Sequence, residues 1–280
     1  MASWKAWRWD GTEIRPFRGG ISLADRGFRY GQHLFETIAI RRRTPLLAED
    51  HLAILAASAK REGIPFSRTL AARLRVFLHS VAIADGLLRI YLSAGPGSPG
   101  SPVRTPGCYL TWESIEFPTS ADVERGITLT LLKKPFLGEG WGVKSGNYAV
   151  HIGALDAARK SEADEGVVLD AQGRIISCAM GNLLLWVPEI KAHSPILYCP
   201  SQASGPRSGA VLSWLKRHTR VVERELSASD LGKAVAVAVT NSRLGVMPVS
   251  RIDGKKLPDP SHSRTLAKEY LQAHGLLGKS

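Results

Sequence analysis

Lys144-Ser145-Gly146-Asn147-Tyr148 opens a stretch that runs on to Gly181-Asn182. A lysine, a polar turn and then Val150, Ala154, Leu155 and Ala158 at helical spacing predict a chain that holds the Lys144 amine still beside a helix. Asp164-Glu165-Gly166 ends that run. Gly166 to Asp170 and Gly173 to Ile176 read as a hairpin turning at Gly173, and Leu183 to Val187 reads as a buried strand.

Toward the C-terminus, Gly205-Pro206-Arg207-Ser208-Gly209 precedes a helix expected from Ala210 to about Arg217. A glycine-flanked helix start is a ready anion site, because its free N–H groups point outward. Ala234 to Val239 reads as another buried strand that ends at Thr240-Asn241-Ser242, whose hydroxyl and amide groups suit the same anion. Ile127 to Leu132 alternates as a strand.

Toward the N-terminus, Trp4 to Trp9 with Asp10-Gly11 reads as a strand and a tight turn. Ser22 to Gly31 is a loop in which Gly27 and Gly31 bracket an aromatic segment, and it feeds a strand from Leu34 to Ile40. Arg41-Arg42-Arg43 falls at a hairpin turn before Thr44-Pro45. Helices are expected from Leu47 to near Gly63 and from Thr69 to Val81, and a strand from Leu87 to Leu92. That strand runs into the turn-rich Gly95 to Pro102. Glu116 to Ser120 reads as a linker, which places a small domain at 1–117, a linker at 118–125 and a larger domain at 126–280.

The chain has 280 residues, 44% hydrophobic and 22% charged, as expected of a soluble globular protein. With no basic leader joined to an apolar run, and no apolar run of membrane-spanning length, a cytoplasmic protein without membrane contact is expected. The cysteines Cys108, Cys178 and Cys199 are odd in number and far apart, so they read as reduced core thiols. The histidines are dispersed and give no metal-ligand spacing. A formal charge of +12 attracts anions. Basic and aromatic residues do not interleave, however, so nucleic-acid binding is a minority reading beside a solvated basic surface or a small-molecule anionic substrate.

Asp25-Arg26-Gly27 with Tyr30-Gly31 and Phe35-Glu36-Thr37, then Lys144-Ser145-x-Asn147-Tyr148, Asp164-Glu165, Asn182, the Gly205 to Gly209 turn and Thr240-Asn241-Ser242 before Met247-Pro248-Val249 together resemble the class IV pyridoxal-phosphate family. That family holds branched-chain aminotransferases, D-amino-acid aminotransferases and 4-amino-4-deoxychorismate lyases. The resemblance covers nearly the whole chain. It implies a two-domain α/β (α+β) fold, with a small N-terminal α+β domain and a larger C-terminal domain with a β-barrel-like core. A homodimer, a site at the domain cleft and pyridoxal 5'-phosphate as cofactor are implied as well. Lys144 takes the Schiff-base position, where an amine condenses with the cofactor aldehyde and moves the proton at the substrate α carbon. Ser177, Asn182, Gly209, Ala210, Val211, Thr240, Asn241, Ser242 and Tyr148 fall at cofactor-binding positions, and Tyr30, Arg29, His33 and Ala94 at substrate positions.

Several expected ionic groups are missing. The pattern His-x-x-Arg-Leu reads His51-Leu52-Ala53-Ile54-Leu55, and Ser177 stands where a carboxylate normally holds the pyridine nitrogen. Leu212 replaces the arginine after Gly209, and the loop where lyase-like members carry arginines reads Ala94-Gly95 and Pro99-Gly100. His33 stands where the resembling motif has a small residue, and Lys133, Lys134 and Arg29 are candidates to restore charge. A replacement carboxylate from Glu162 or Glu165 is not favoured, since their segment should lead into the next strand.

Three readings fit. The first is a pyridoxal-phosphate lyase or transaminase, nearest to an aminodeoxychorismate lyase that would make 4-aminobenzoate for folate. The second is a homologue with a remodelled cleft, in which Lys144 is a base or imine-former without the cofactor. The third is a non-catalytic homologue.

Overall fold

Alternation in β3 (His33–Arg41) organises the first unit: Leu34, Glu36, Ile38 and Ile40 are buried, while His33, Phe35 and Thr37 stand on the opposite, more open face. The computed structural model describes residues 4–133 and 142–276. The chain divides into two compact units, Met1–Phe117 with Val143–Asn147, and Pro118–Gly142 with Tyr148–Ser280.

In the first unit β1 (Trp4–Trp9), β2 (Ile14–Pro16), β3, β4 (Thr44–Pro45), β5 (Gly86–Ser93) and β6 (Gly107–Glu113) form an antiparallel sheet in the order β2-β1-β6-β5-β3-β4. The buried side of β3 shares one core with α2 (Ala48–Arg61) and α3 (Arg68–Ser80), through Leu52, Leu55, Leu70, Leu74 and Leu78. Arg42 and Arg43 make the β3–β4 turn with φ of 50° and 62°.

The segment read as an aromatic loop contains instead a short helix, α1 (Arg26–Tyr30). Asp25 caps it by accepting the Gly27 N–H at 2.7 Å, and Gly31, with φ 67°, closes it. Arg26 is 1% exposed and pins the turn-rich loop. Its guanidinium donates to the carbonyls of Ser101 at 2.8 Å, Ala94 at 3.0 Å and Gly95 at 3.4 Å. Asp25 also accepts the Ser93 hydroxyl.

The second unit begins where a linker is expected. From Ser120 the chain is helical, α4 (Ser120–Arg125), because Thr119 and Asp122 form a reciprocal capping box. The strands are β7 (Ile127–Leu131), β8 (Glu165–Leu169), β9 (Ile175–Cys178), β10 (Asn182–Val187), β11 (Ile196–Pro200), β12 (Val222–Arg224), β13 (Ala236–Asn241), β14 (Gly245–Ile252) and β15 (Lys255–Lys256). They make one sheet ordered β12-β11-β10-β13-β14-β7-β8-β9, with β15 paired to β14. The sheet curls on itself: past β12, the Leu226 carbonyl accepts the Ile175 N–H of β9 at 2.7 Å. The barrel-like core so enclosed holds Leu129, Val167, Leu183, Leu185, Val237 and Val239. Helices α5 (Ala149–Lys160), α6 (Ala210–His218), α7 (Ala228–Lys233) and α8 (Ser261–Ala273) complete this unit.

All three cysteines are buried and free. Burial pushes the Cys108 thiol up to about 12 and the Cys199 thiol up to about 11, which keeps both unreactive. Among the described residues no helix is long and apolar enough to cross a membrane.

Arg26→Met removes three bonds to backbone carbonyls, each of a kind worth about 1.5–3 kcal/mol when charge-assisted. The unfolding free energy measured in urea should fall by about 3 kcal/mol or more. Arg26→Lys, without a planar fork, should recover only part of that loss.

Candidate functional site

Lys144 does not sit on the helix that follows it. It lies in an extended segment paired with β3: the Phe35 N–H donates to the Lys144 carbonyl at 2.9 Å, the Gly146 N–H donates to the His33 carbonyl at 2.8 Å, and Leu34 bridges Ser145. Residues opposite one another in such a pair point to the same side. Lys144 therefore shares the open face of the sheet with Phe35 and His33, and its Nζ stands 5.0 Å from the centre of the Phe35 ring. The Phe35 ring stacks on Tyr91 at 6.0 Å, and the His33 ring meets Tyr91 edge-on at 6.0 Å. His33 Nδ1 lies 3.1 Å from the Gly27 carbonyl, so it carries the proton there. A side chain at Gly146 would collide with that imidazole, which explains the glycine two residues after the lysine.

The other residues expected at a substrate site are placed differently. Arg29 and Tyr30 are exposed at the end of α1 and stack on each other at 4.8 Å. Ala94 is fully buried, its carbonyl taken by Arg26 and its N–H bonded to the Gln32 carbonyl at 3.0 Å. Ile54 is half-buried on α2.

The second unit builds an anion cradle. Helix α6 starts at Gly209 without a side-chain cap, so the N–H groups of Ala210, Val211 and Leu212 have no carbonyl one turn back. Asn182 donates its amide to the Arg207 carbonyl at 2.9 Å, and its amide oxygen packs so closely on Gly209 that any Cβ there would clash. Thr240 lies opposite Asn182 on the neighbouring strand. It is 1% exposed, and its Oγ1 has no hydrogen-bond partner. A buried hydroxyl left unsatisfied beside an uncapped helix start is the environment a phosphate group completes. The cofactor's phosphate thus fits the residues present.

Asn241 serves the fold instead of the cradle, since its Oδ1 accepts the Leu244 N–H at 2.8 Å and closes the β13–β14 turn, where Ser242 is half-buried. Leu212 is buried in α6. Ser177 is fully buried and donates its hydroxyl to the Gly181 carbonyl at 2.6 Å. Its proton is committed within the turn between β9 and β10, so only lone pairs remain to face a ring nitrogen. Lys133 and Glu162 are exposed, and Lys134 lies outside the described residues.

A polar cluster in the second unit joins Tyr148 and Glu165, which the sequence named, to His151 and Arg207, which it did not single out. Tyr148 stacks on His151 at 4.5 Å, and the Arg207 guanidinium lies 5.9 Å from the Tyr148 ring. Arg207 is 7% exposed and His151 is 4% exposed. His151 Nδ1 is 3.0 Å from Arg207 Nη1 and 2.9 Å from the Ala179 carbonyl. The first contact requires a lone pair on Nδ1 and the second a proton, so one excludes the other. Glu165 is buried nearby and accepts the Gly166 and Met180 N–H groups, each at 3.0 Å. Burial raises its carboxyl above the usual range despite those bonds and the field of Arg207. A charged residue between Pro206 and Ser208 reads locally as a solvated turn, so no sequence signal marked Arg207.

The Amino-transferase class IV family model matches residues 33–252. An aminodeoxychorismate lyase from Vibrio harveyi is 29% identical over 241 residues, which are 83% of this chain and 87% of that protein. The structure of a 4-amino-4-deoxychorismate lyase from Pseudomonas aeruginosa superposes with a TM-score of 0.77 at 25% identity, over 97% of this chain and 100% of that one. A hypothetical aminotransferase from Mycobacterium tuberculosis, in its PLP-bound form, superposes with a TM-score of 0.77 at 22% identity, over 96% of this chain and 98% of that one. The match spans well over half of the sequence and includes Lys144, β3 and the anion cradle. The chain belongs to the Amino-transferase class IV family.

Proposed function

We propose that this enzyme is a pyridoxal-phosphate lyase of the aminodeoxychorismate lyase type, acting on an anionic amino-acid-like substrate. The observation that carries the reading is the seat of Lys144: two backbone hydrogen bonds to β3 fix it opposite Phe35, with its amine over that ring. A cation over an aromatic face gains about 0.5–2 kcal/mol, enough to favour one position of a flexible side chain. When bound, pyridoxal phosphate supplies an aldehyde that condenses with amines and a ring that draws electrons from the adjacent carbon.

This chain's residues do the rest. Lys144 carries the exchangeable amine and moves the proton at the substrate α carbon. The N–H groups of Ala210 and Val211 with the Thr240 hydroxyl hold the phosphate, and Asn182 keeps the start of α6 in place. Ser177 brings no charge to the ring nitrogen, which weakens the ring as an electron store. Elimination, in which negative charge departs with a leaving group, suits such a site better than transamination. A place in the synthesis of 4-aminobenzoate for folate, in the cytoplasm, follows from the lyase reading.

A homodimer belongs to the same proposal. It is supported by the apolar residues Leu23 and Phe28, which are 75% and 65% exposed on the first unit. A second reading, with Lys144 as a base or imine-former without the cofactor, is favoured by one observation: Ser177 spends its hydroxyl proton on Gly181.

Incubation with pyridoxal phosphate should give an absorbance band near the edge of the visible that borohydride bleaches, and Lys144→Ala should give none. No band in the wild-type protein would favour the cofactor-free reading. Gly209→Ala drives a methyl group into the Asn182 amide and tilts the first turn of α6. Losing one charge-assisted contact of about 1.5–3 kcal/mol should weaken pyridoxal phosphate binding about ten- to hundredfold. Binding of pyridoxal, which lacks the phosphate, should be unchanged.

A further inference from the structure

Arg207 is a buried cation of the second unit, 7% exposed. Its backbone is held by the Asn182 amide at 2.9 Å and by the Gly205 to Gly209 turn, where Gln202 also bonds the Pro206 carbonyl at 3.1 Å. The guanidinium is therefore carried inward by a fixed main chain rather than left to wander.

Its polar partners are few. A guanidinium has five N–H donors. Of these, among the described residues only Nη1 of Arg207 meets a polar side chain, His151 Nδ1, which accepts from it only when it carries no proton to donate to the Ala179 carbonyl. No carboxylate forms an ion pair with Arg207 among the described residues. Glu165 acts on it only through its field, with both oxygens engaged by backbone N–H groups and burial favouring its neutral form.

The use of Nη1 by His151 leaves the Nε and Nη2 edge, the side-on fork that pairs with a carboxylate or phosphate through two parallel bonds. Neither of those nitrogens is among the fully buried polar atoms without a partner, so each keeps some accessible surface. A charge this deeply placed is tolerable when an anion meets it.

We propose that Arg207 is an anion anchor of the second unit, binding an oxyanion of the ligand, either a carboxylate or a phosphate ester, through its Nε and Nη2 edge. The inference rests on the ligand being anionic, as the lyase reading has it, and not on Lys144 or on cofactor chemistry. It also accounts for charge economy: the chain lacks arginines at Ile54 and Leu212, and Arg207 supplies a buried cation two residues before the helix start at Gly209.

The proposal is tested by titration with inorganic phosphate and, separately, succinate at constant ionic strength. Saturable binding is read by calorimetry and by the rise in Tm, on wild type, Arg207→Leu, Arg207→Lys and Lys144→Ala. Wild type and Lys144→Ala should bind alike, and Arg207→Leu should bind about ten- to hundredfold more weakly. The preferred anion, phosphate or succinate, identifies the source of the oxyanion.

Unchanged affinity in Arg207→Leu, or no saturable binding of either anion to wild type, overturns the proposal. Should Arg207→Leu not fold, Arg207→Lys decides alone: it keeps the charge and loses the fork, so weaker binding supports the anchor and equal binding overturns it. Loss of the pyridoxal phosphate band with anion binding intact would count against the cofactor reading and leave Arg207 standing.

Discussion

The pairing of residues 143–146 with β3 is the constraint from which the chemistry of the first unit follows. Two backbone hydrogen bonds, Phe35 to Lys144 and Gly146 to His33, set a register in which Lys144 must share a face with Phe35 and His33. Side chains alternate along a strand, so a slip by one residue would turn the lysine to the other face, where Glu36, Leu34 and Ile38 belong to the buried side. The amine would then meet an apolar core. Register is thus decided by the cost of burying the wrong residues, and the lysine is placed by the hydrophobic alternation of a strand more than a hundred positions earlier.

The second unit solves a different problem, that of polar groups in a closed interior. Its curled sheet encloses leucine and valine, yet Glu165, Ser177, Asn182, Arg207 and Thr240 are buried in the same unit. Most are answered by the backbone: Glu165 takes two N–H groups, Ser177 gives to Gly181, and Asn182 holds the Arg207 carbonyl. Two are not answered in full. Thr240 Oγ1 has no partner, and Arg207 has a single contested one. Buried polar groups are normally satisfied, so these two stand apart from the rest of the interior.

The strands and long helices were legible because alternation and helical spacing are properties of short windows. That is why β1, β3, β5 and the helices α2, α3 and α6 lie where the sequence puts them. Helix α1 was not legible: five residues are too few to show a period, and what makes it helical is the Asp25 cap and the turn at Gly31. The helix over Ser120–Arg125 was hidden for a similar reason, since Pro118 reads as a linker while the Thr119–Asp122 box that starts the helix depends on two side chains. In the candidate site, the sequence marks Lys144 through the family resemblance and the α6 start through its glycine-flanked turn. Arg207 and His151 were not, because burial by residues distant in sequence leaves no mark on the residue itself.

Ser177 shows how a single hydrogen bond shapes what remains possible. With its proton given to Gly181, the hydroxyl is locked as an acceptor, and changing that requires opening the turn that joins β9 to β10. The same turn presents the Met180 N–H to Glu165 and the Ala179 carbonyl to His151, whose nitrogen Arg207 also approaches. Charge in this part of the second unit is therefore redistributed rather than removed: the expected carboxylate position is neutral, and a cation sits behind the turn. In the lyase reading proposed above, such an arrangement would suit an anionic ligand and would give little support to a protonated ring nitrogen, so that elimination would fit these residues better than amino-group transfer.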